Sequence, residues 1–197
     1  MNPEIIVINA SPRKNGNCYH IIKDVVNILE ENNISYEVFN LYDMNIEYCN
    51  ACGFCEKKKG CRINDDMSPV YDKFNKSSGT IVVSPVYFDS IPAKMKTMID
   101  RTQAVYSSKF VLQDSMINRS KKRIGMYIAV AGSEEYKTQF SGGDIVMDFF
   151  FRSINSRSAI NMRISGTDKR PYKESDEFIN DVRKNVNAYS LLINDIR

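Results

Sequence analysis

Three short, almost wholly apolar runs constrain the fold of this chain more than any other feature. They lie at residues 5–8, 80–83 and 124–130. A strand with one face in water alternates apolar and polar residues, whereas a strand of a parallel sheet is covered by helices on both faces and is apolar throughout. The runs therefore predict buried strands of a parallel sheet.

Segments with apolar residues at helical spacing separate these runs. Two further strands are predicted at residues 36–41 and 159–164, and helices at residues 16–33, 67–74, 92–99, 145–154 and 178–193. Residues 107–122 and 132–143 are predicted to be irregular, and to move or to contact a partner subunit. Five βα units in 197 residues indicate a single α/β domain, residues 1–197, with a doubly wound parallel sheet.

Four of the five cysteines fall in one short loop, residues 47–64, with the spacing C-x2-C-x2-C-x5-C. They are Cys49, Cys52, Cys55 and Cys61. Thiolates two residues apart can converge on one inorganic centre, and the C-x2-C-x2-C run of ferredoxins holds iron in this way. The spacing therefore favours an iron–sulfur cluster.

Three other uses of these cysteines stay open on spacing alone. Structural zinc usually takes two separate C-x2-C pairs a dozen or more residues apart, so three overlapping pairs fit it poorly. A disulfide framework is disfavoured, because no secretory signal is evident and the chain is long enough to build a core. Redox-active or simply reduced thiols remain.

Charge and hydropathy narrow the classes of partner. The chain has 27 basic and 24 acidic residues, and the basic ones are mostly interspersed with acidic ones. We therefore expect no nucleic-acid partner. The richest late apolar run, residues 145–151, contains Asp148, so no membrane partner is expected and a cytoplasmic location is predicted.

The segment after the first strand, residues 9–18, is polar and basic and opens a helix. Its hydroxyl, amide and cationic side chains, with the free N–H groups of the helix start, would suit a phosphate group. It lacks the glycines of G-x-G-x-x-G and the Lys-Ser/Thr pair of a Walker loop, which disfavours a dinucleotide and triphosphate hydrolysis. A polar surface turn that caps a helix is the alternative.

Residues 11–17 (SPRKNGN) and 84–88 (SPVYF) resemble the flavodoxin-like NADPH-dependent FMN reductases, and the cysteine run narrows the resemblance to the iron–sulfur flavoproteins. It covers about 100 residues, from the first strand to Arg101. Two departures are visible: Asn9-Ala10 stands where a glycine is common, and Cys18 where a threonine is common. The resemblance implies a five-stranded sheet in the order 2-1-3-4-5.

The resemblance also implies two cofactors, FMN and a four-iron four-sulfur cluster, in a homodimer or homotetramer. The loop 131–133 would close over the polar edge of the flavin. The implied FMN phosphate ligands are Ser11, Arg13, Asn15, Asn17 and Cys18; the implied flavin contacts are Pro85, Val86, Tyr87, Phe88 and Gly132; the implied cluster ligands are Cys49, Cys52, Cys55 and Cys61.

The function implied is electron relay between a ferredoxin or NAD(P)H donor and a small oxidant. No catalytic acid or base is expected, because hydride transfer needs a donor carbon near the flavin rather than a proton acceptor. Two alternatives are a cluster-free NAD(P)H-dependent FMN or quinone reductase and a non-catalytic flavin- or metal-binding regulator.

Several conspicuous residues have ordinary explanations. His20 is interpreted as a packed or solvated helix residue, and Cys18 as a small packed residue rather than a reactive thiol. Asp65-Asp66 is interpreted as a helix cap, and Asp100-Arg101 as a structural or subunit-contact pair. The three phenylalanines at 149–151 cannot share one helical face, so at least one should meet another subunit or a long loop.

Overall fold

The computed structural model describes residues 4–196, and their secondary structure alternates between strands and helices. The strands are β1 (Ile5–Asn9), β2 (Tyr36–Asn40), β3 (Gly79–Pro85), β4 (Ile124–Val130) and β5 (Arg157–Ile164). The helices are α1 (Asn17–Glu31), α2 (Ser68–Lys76), α3 (Ala93–Arg101), α4 (Gln103–Phe110), α5 (Ser141–Ser153) and α6 (Asp176–Asp195).

The five strands form one parallel sheet in the order β2-β1-β3-β4-β5, which confirms the predicted fold. Ile5 and Val7 of β1 pack on one face of the sheet with α1 and α6, while Ile6 and Ile8 pack on the other face with α2, α3 and α5. Burial on both faces explains why the central strands have no polar alternation.

Helix α4 contradicts the prediction that all of residues 107–122 are irregular. Two of its inward side chains are serines, Ser107 and Ser108, and both are fully buried. Polar residues at these positions hide the apolar periodicity on which helix prediction depends.

Helix α5 begins at Ser141, four residues before its predicted start at 145, so it takes in Gly142 and Gly143 of the predicted loop 132–143. A Cβ atom at Gly142 would lie 2.6 Å from the backbone oxygen of Asp89. Glycine is therefore kept there for packing although it disfavours a helix. Among the three phenylalanines only Phe149 is exposed, as the helical periodicity required.

Parallel strands place the loops that follow β1, β3 and β4 at one edge of the sheet. Residues 10–16, 86–92 and 131–140 form these loops. The cysteine loop follows β2 and packs against α4. No helix within residues 4–196 is long and apolar enough to cross a membrane.

Candidate functional site

The loop between β1 and α1 is held by backbone and side-chain hydrogen bonds. Ala10 N donates to the carbonyl oxygen of Val83 at 2.9 Å. Ser11 N donates to Asn9 Oδ1 at 3.0 Å, and Arg13 N donates to Ser11 Oγ at 3.2 Å. The path of the loop is therefore fixed by β1 and β3, while the Arg13 side chain stays in solvent.

The amino terminus of α1 has no capping side chain. Gly16 occupies the N-cap position, and the first turn carries no acidic residue. Several of the first N–H groups of a helix have no partner within it, and they carry the positive end of the helix dipole. This terminus is therefore suited to an anion, and Arg13 and Asn15 are exposed beside it.

In two of the predicted phosphate ligands, part or all of the side chain is engaged elsewhere. Asn17 Oδ1 accepts a hydrogen bond from Tyr172 N at 3.0 Å. Cys18 is buried, and this burial raises the pKa of its thiol to about 12 although Ser11 opposes the shift. Cys18 is thus a packed thiol, and only its backbone N–H can serve an anion.

The segment after β3 makes a tight turn at the same edge of the sheet. Tyr87 and Ser90 exchange two backbone hydrogen bonds, of 2.9 and 3.0 Å. Phe88 and Asp89 have positive φ angles of 50° and 57°. The Phe88 side chain is fully exposed, with 104% of its reference area, and Tyr87 is 41% exposed. The turn thus presents two aromatic rings to whatever lies above the edge of the sheet.

Asp89 ties this turn to the loop after β4. Its carboxylate accepts hydrogen bonds from the hydroxyl groups of Tyr136 and of Thr138, the second at 2.9 Å. Sequence reasoning missed Asp89, whose partners lie 47 and 49 residues further on with no local pattern to reveal them.

Gly132, in the same loop after β4, must be glycine for a separate reason. A Cβ atom there would lie 2.4 Å from the Asp168 carboxylate.

The four clustered cysteines line one cavity of about 370 Å³. All are free thiols; Cys49 and Cys52 are exposed, and Cys55 and Cys61 are half-buried. The Cys55 thiol lies 3.7 Å from Ser107 Oγ on α4. Within residues 4–196, no three Cys, His, Asp or Glu side chains are placed so that they could hold a metal ion. The thiols therefore surround one space without being drawn together.

Arg101 closes the neck of the cysteine loop from the end of α3. It donates to the backbone oxygens of Glu47 and Ile63, at 2.8 and 3.2 Å, and to the Asp65 carboxylate. Burial alone would raise the pKa of Asp65, but hydrogen bonds from Arg101, Glu47 N and Met67 N outweigh it and lower the pKa. Arg101 is thus structural, which is one of the two roles predicted for the Asp100-Arg101 pair.

The neighbouring acidic residues differ from the sequence interpretation. Asp100 pairs at the surface with Lys96 rather than with Arg101. Asp66 accepts a hydrogen bond from Asn45 N at 2.6 Å and does not cap α2; the N-cap residue is Met67. Asp65 Oδ1 accepts from Met67 N at 3.0 Å, just before the helix.

The strand order and the loops at the carboxyl edge define a flavodoxin-like protein. The family model of the NADPH-dependent FMN reductases matches residues 3–141, and the chain belongs to this family. The resemblance drawn from the sequence is therefore confirmed.

The curated relatives are iron–sulfur flavoproteins. One from Methanosarcina thermophila is 32% identical over 130 residues, which is 66% of this chain and 64% of the relative. Another, from Methanocaldococcus jannaschii, is 27% identical over 98% of both chains. The chain spans 64%, 52% and 62% of the lengths of the first three relatives, less than two thirds of each.

A solved structure with the same fold is the FMN-dependent NADH-azoreductase from Bacillus anthracis in complex with FMN. It superposes with a TM-score of 0.70 at 19% identity, over 98% of this chain and 99% of that one.

Proposed function

We propose that this protein is an FMN-dependent oxidoreductase that also carries an iron–sulfur cluster. The observation that carries the flavin assignment is the uncapped amino terminus of α1, which lies at the same edge of the sheet as the aromatic turn after β3. Membership of the NADPH-dependent FMN reductase family supports it.

The residues after β1 fit the FMN phosphate. The N–H groups at the start of α1, the Ser11 hydroxyl and the Arg13 and Asn15 side chains would hold it. Asn17 would contribute its backbone N–H and its side-chain Nδ2–H groups, since only its Oδ1 atom is bonded to Tyr172 N. Cys18 would contribute its backbone N–H, because its thiol is buried.

The turn after β3 would frame the flavin ring. Pro85 ends the strand and Val86 follows it, and Tyr87 and Phe88 supply exposed apolar surface. Phe88 combines a positive φ angle with a fully exposed side chain, and both cost free energy when no cofactor is bound. A flavin ring packed against this side chain would offset that cost. The loop that contains Gly132 is tied to this turn through Asp89.

The cysteine cavity fits a cluster by its chemistry, since four thiols and no competing disulfide surround one space. Cys49, Cys52, Cys55 and Cys61 would be the ligands of a four-iron four-sulfur cluster. The relatives from Methanosarcina thermophila and Methanocaldococcus jannaschii are iron–sulfur flavoproteins, which supports this assignment.

The two cofactors would supply hydride and single-electron chemistry, with a ferredoxin or NAD(P)H as donor and a small oxidant as acceptor. The protein's own residues would bind and orient them.

The decisive experiment is an anaerobic preparation, reconstituted with iron and sulfide, whose absorbance, iron and sulfide are measured. We expect flavin bands together with broad cluster absorption. Cys52→Ala should lose iron and keep FMN, because the phosphate loop lies on another segment. Lys58→Ala, in the same exposed loop, is the control and should keep both. A wild-type protein that takes up FMN but no iron would contradict the proposed cluster and would support the flavin assignment alone.

A cluster-free FMN or quinone reductase is the second candidate. It is favoured by the fact that no three metal-binding side chains within residues 4–196 are drawn together. Flavin bands alone, with turnover of NAD(P)H and a quinone in protein free of iron, would select it.

The active unit would be a homodimer or homotetramer. Exposed apolar residues lie on two neighbouring helices: Phe149 and Ile145 on α5 are each 64% exposed, and Tyr106 and Phe110 on α4 are about half exposed. A stable dimer should bury well over ~1,000 Å² in total. Light scattering coupled to size-exclusion chromatography tests this, and a Phe149→Ser variant should weaken the association.

A further inference from the structure

A second large cavity lies at the amino-terminal ends of β4 and β5, the edge of the sheet opposite the proposed flavin site. Its volume is about 910 Å³, which is in the range of small-molecule sites. Arg123 and Arg157, which flank the starts of the two strands, contribute to its wall. Every charged residue that lines it is a lysine or an arginine, and none is an aspartate or a glutamate.

Some of these cations already have partners. Arg152 pairs with Asp148, Lys109 lies over the ring of Phe110, and Lys121 donates to the backbone oxygen of Lys76. Arg119, Lys122 and Arg157 have no carboxylate partner among residues 4–196. Within the part of the chain that the structure describes, three cations in one wall therefore have no carboxylate partner.

Arg123 adds a buried charge behind them. Its side chain donates to the backbone oxygens of Phe74, Asn75, Asn118 and Lys121, and the residue is only 4% exposed. These carbonyl groups satisfy its donors but carry no net charge. Burial, together with the nearby Arg119, lowers the pKa of Arg123 to about 10. A buried guanidinium without a carboxylate is stabilised by an anion nearby.

Ser156 supplies an independent sign of a ligand. It lines the cavity, is 4% exposed, and its hydroxyl oxygen has no hydrogen-bond partner within the described residues. An unpartnered buried hydroxyl costs free energy, and native proteins seldom leave one without a water or a ligand.

If a two-fold axis passed through this wall, the partner would bring the same cations to it, and the wall would still favour an anionic ligand. The wall also carries the apolar side chains of Val105, Phe110 and Phe149, of which the last two are also proposed to contact a partner subunit. We infer that this cavity binds a phosphate monoester of about nucleotide size, with the phosphate among Arg119, Lys122, Arg157 and Ser156 and the organic part against the apolar side chains.

The test is calorimetric titration in phosphate-free buffer. The protein is first saturated with FMN, so that the flavin phosphate site is already filled. The probes are 5′-AMP, inorganic phosphate and adenosine. We expect AMP to bind most tightly, phosphate more weakly, and adenosine not measurably. Arg157→Gln and Lys122→Gln should each raise the Kd of AMP about tenfold, because each removes a charge-assisted contact. Lys184→Gln, an exposed lysine on α6, is the matched control and should leave the Kd unchanged.

Ser156→Ala separates binding from folding. The change removes a hydroxyl group that has no hydrogen-bond partner among residues 4–196, so the Tm should not fall, while the Kd of AMP should rise several-fold. The inference is overturned if neither AMP nor phosphate binds, if adenosine binds as well as AMP, or if Arg157→Gln and Lys184→Gln have the same Kd. Arg157 and Lys122 lie at the opposite edge of the sheet from the proposed flavin site, so their variants distinguish binding in this cavity from binding at that site.

Discussion

Arg101 Nη1 lies 2.6 Å from Asp65 Oδ2, and the two side chains are only 1% and 4% exposed. Asp65 lies just after the cysteine loop, and Glu47, whose backbone oxygen Arg101 also binds, is the first residue of that loop. Glu47 N donates to Asp65 Oδ2 as well, at 2.9 Å. One buried guanidinium at the end of α3 therefore holds both ends of the loop that carries the four thiols.

Breaking this pair should be costly. Asp65→Asn removes the negative charge and leaves Arg101 buried without compensation, so we expect the free energy of unfolding to fall by about 3 kcal/mol. Urea unfolding of the apoprotein measures this. Asp100→Asn is the control: it breaks the exposed pair with Lys96 and should cost less than about 1 kcal/mol. Equal losses in the two variants would contradict the role assigned to Asp65.

The same pair should make stability depend on pH in acid. The pKa of Asp65 is lowered in the folded protein from a reference value of 3.8, so folding is favoured while the carboxylate is charged. The contribution is fully present above that reference value and is lost as the pH falls through the folded pKa. The difference in unfolding free energy between wild type and Asp65→Asn should therefore be constant above about pH 5 and shrink in stronger acid. A difference that grows on acidification would contradict this sign.

The fold was predictable because the central strands are apolar throughout and the helices between them are mostly amphipathic. Helix α4 was not predicted, because Ser107 and Ser108 occupy buried positions that are apolar in most amphipathic helices. The early start of α5 was missed because Gly142 is selected by contact with the Asp89 backbone, which no local pattern records.

The candidate site was predictable where its residues are consecutive. Residues 11–18 and 49–61 reveal themselves by composition and spacing within one segment. The links between segments were not predictable: Arg101 binds Asp65 across 36 residues, and Asp89 binds Tyr136 across 47. Such pairs depend on the packing of whole elements and leave no trace in sequence spacing.

The five thiols should fall into two classes of reactivity. Burial raises the pKa of Cys18 from 9.0 to about 12, which lowers its thiolate fraction about a thousandfold. In native protein free of a cluster, iodoacetamide at pH 8 should modify the exposed Cys49 and Cys52 first and leave Cys18 unmodified until the protein unfolds. Peptide mass spectrometry over time measures this. Modification of Cys18 at the rate of Cys49 would show that the thiol is accessible.

Gly142→Ala should disturb the aromatic turn from a distance. The new Cβ atom would lie 2.6 Å from the backbone oxygen of Asp89, and a backbone atom cannot turn aside as a side chain can. Overpacking of this kind costs about 1–3 kcal/mol, of which the better helix propensity of alanine recovers up to about 1 kcal/mol.

The readouts for Gly142→Ala are thermal unfolding and FMN affinity. We expect a lower Tm and weaker FMN binding, because Asp89 belongs to the turn that is proposed to frame the ring. Ser141→Ala, at the exposed preceding position, is the control and should change neither. A Gly142→Ala protein with wild-type FMN affinity would contradict the proposal that this turn frames the flavin ring.

Arg13→Ala should weaken FMN binding without harming the fold. The side chain is exposed, and it makes no hydrogen bond or ion pair with any residue from 4 to 196, so its removal costs the free protein little. If it makes a charge-assisted contact with the phosphate, its loss should cost about 1.5–3 kcal/mol of binding free energy. Much of the affinity should remain, because the N–H groups at the start of α1 are unchanged.

Lys14→Ala is the matched control for Arg13→Ala. Lys14 is the next residue, its side chain is 88% exposed, and its ion pair with Asp43 is long at 3.7 Å. Both variants remove one positive charge from the same loop, so a general electrostatic effect would weaken FMN binding equally in the two. Fluorescence titration of FMN at several salt concentrations distinguishes them. The phosphate assignment requires Arg13→Ala to lose at least about tenfold more affinity than Lys14→Ala, since a direct charged contact is worth more than a screened one.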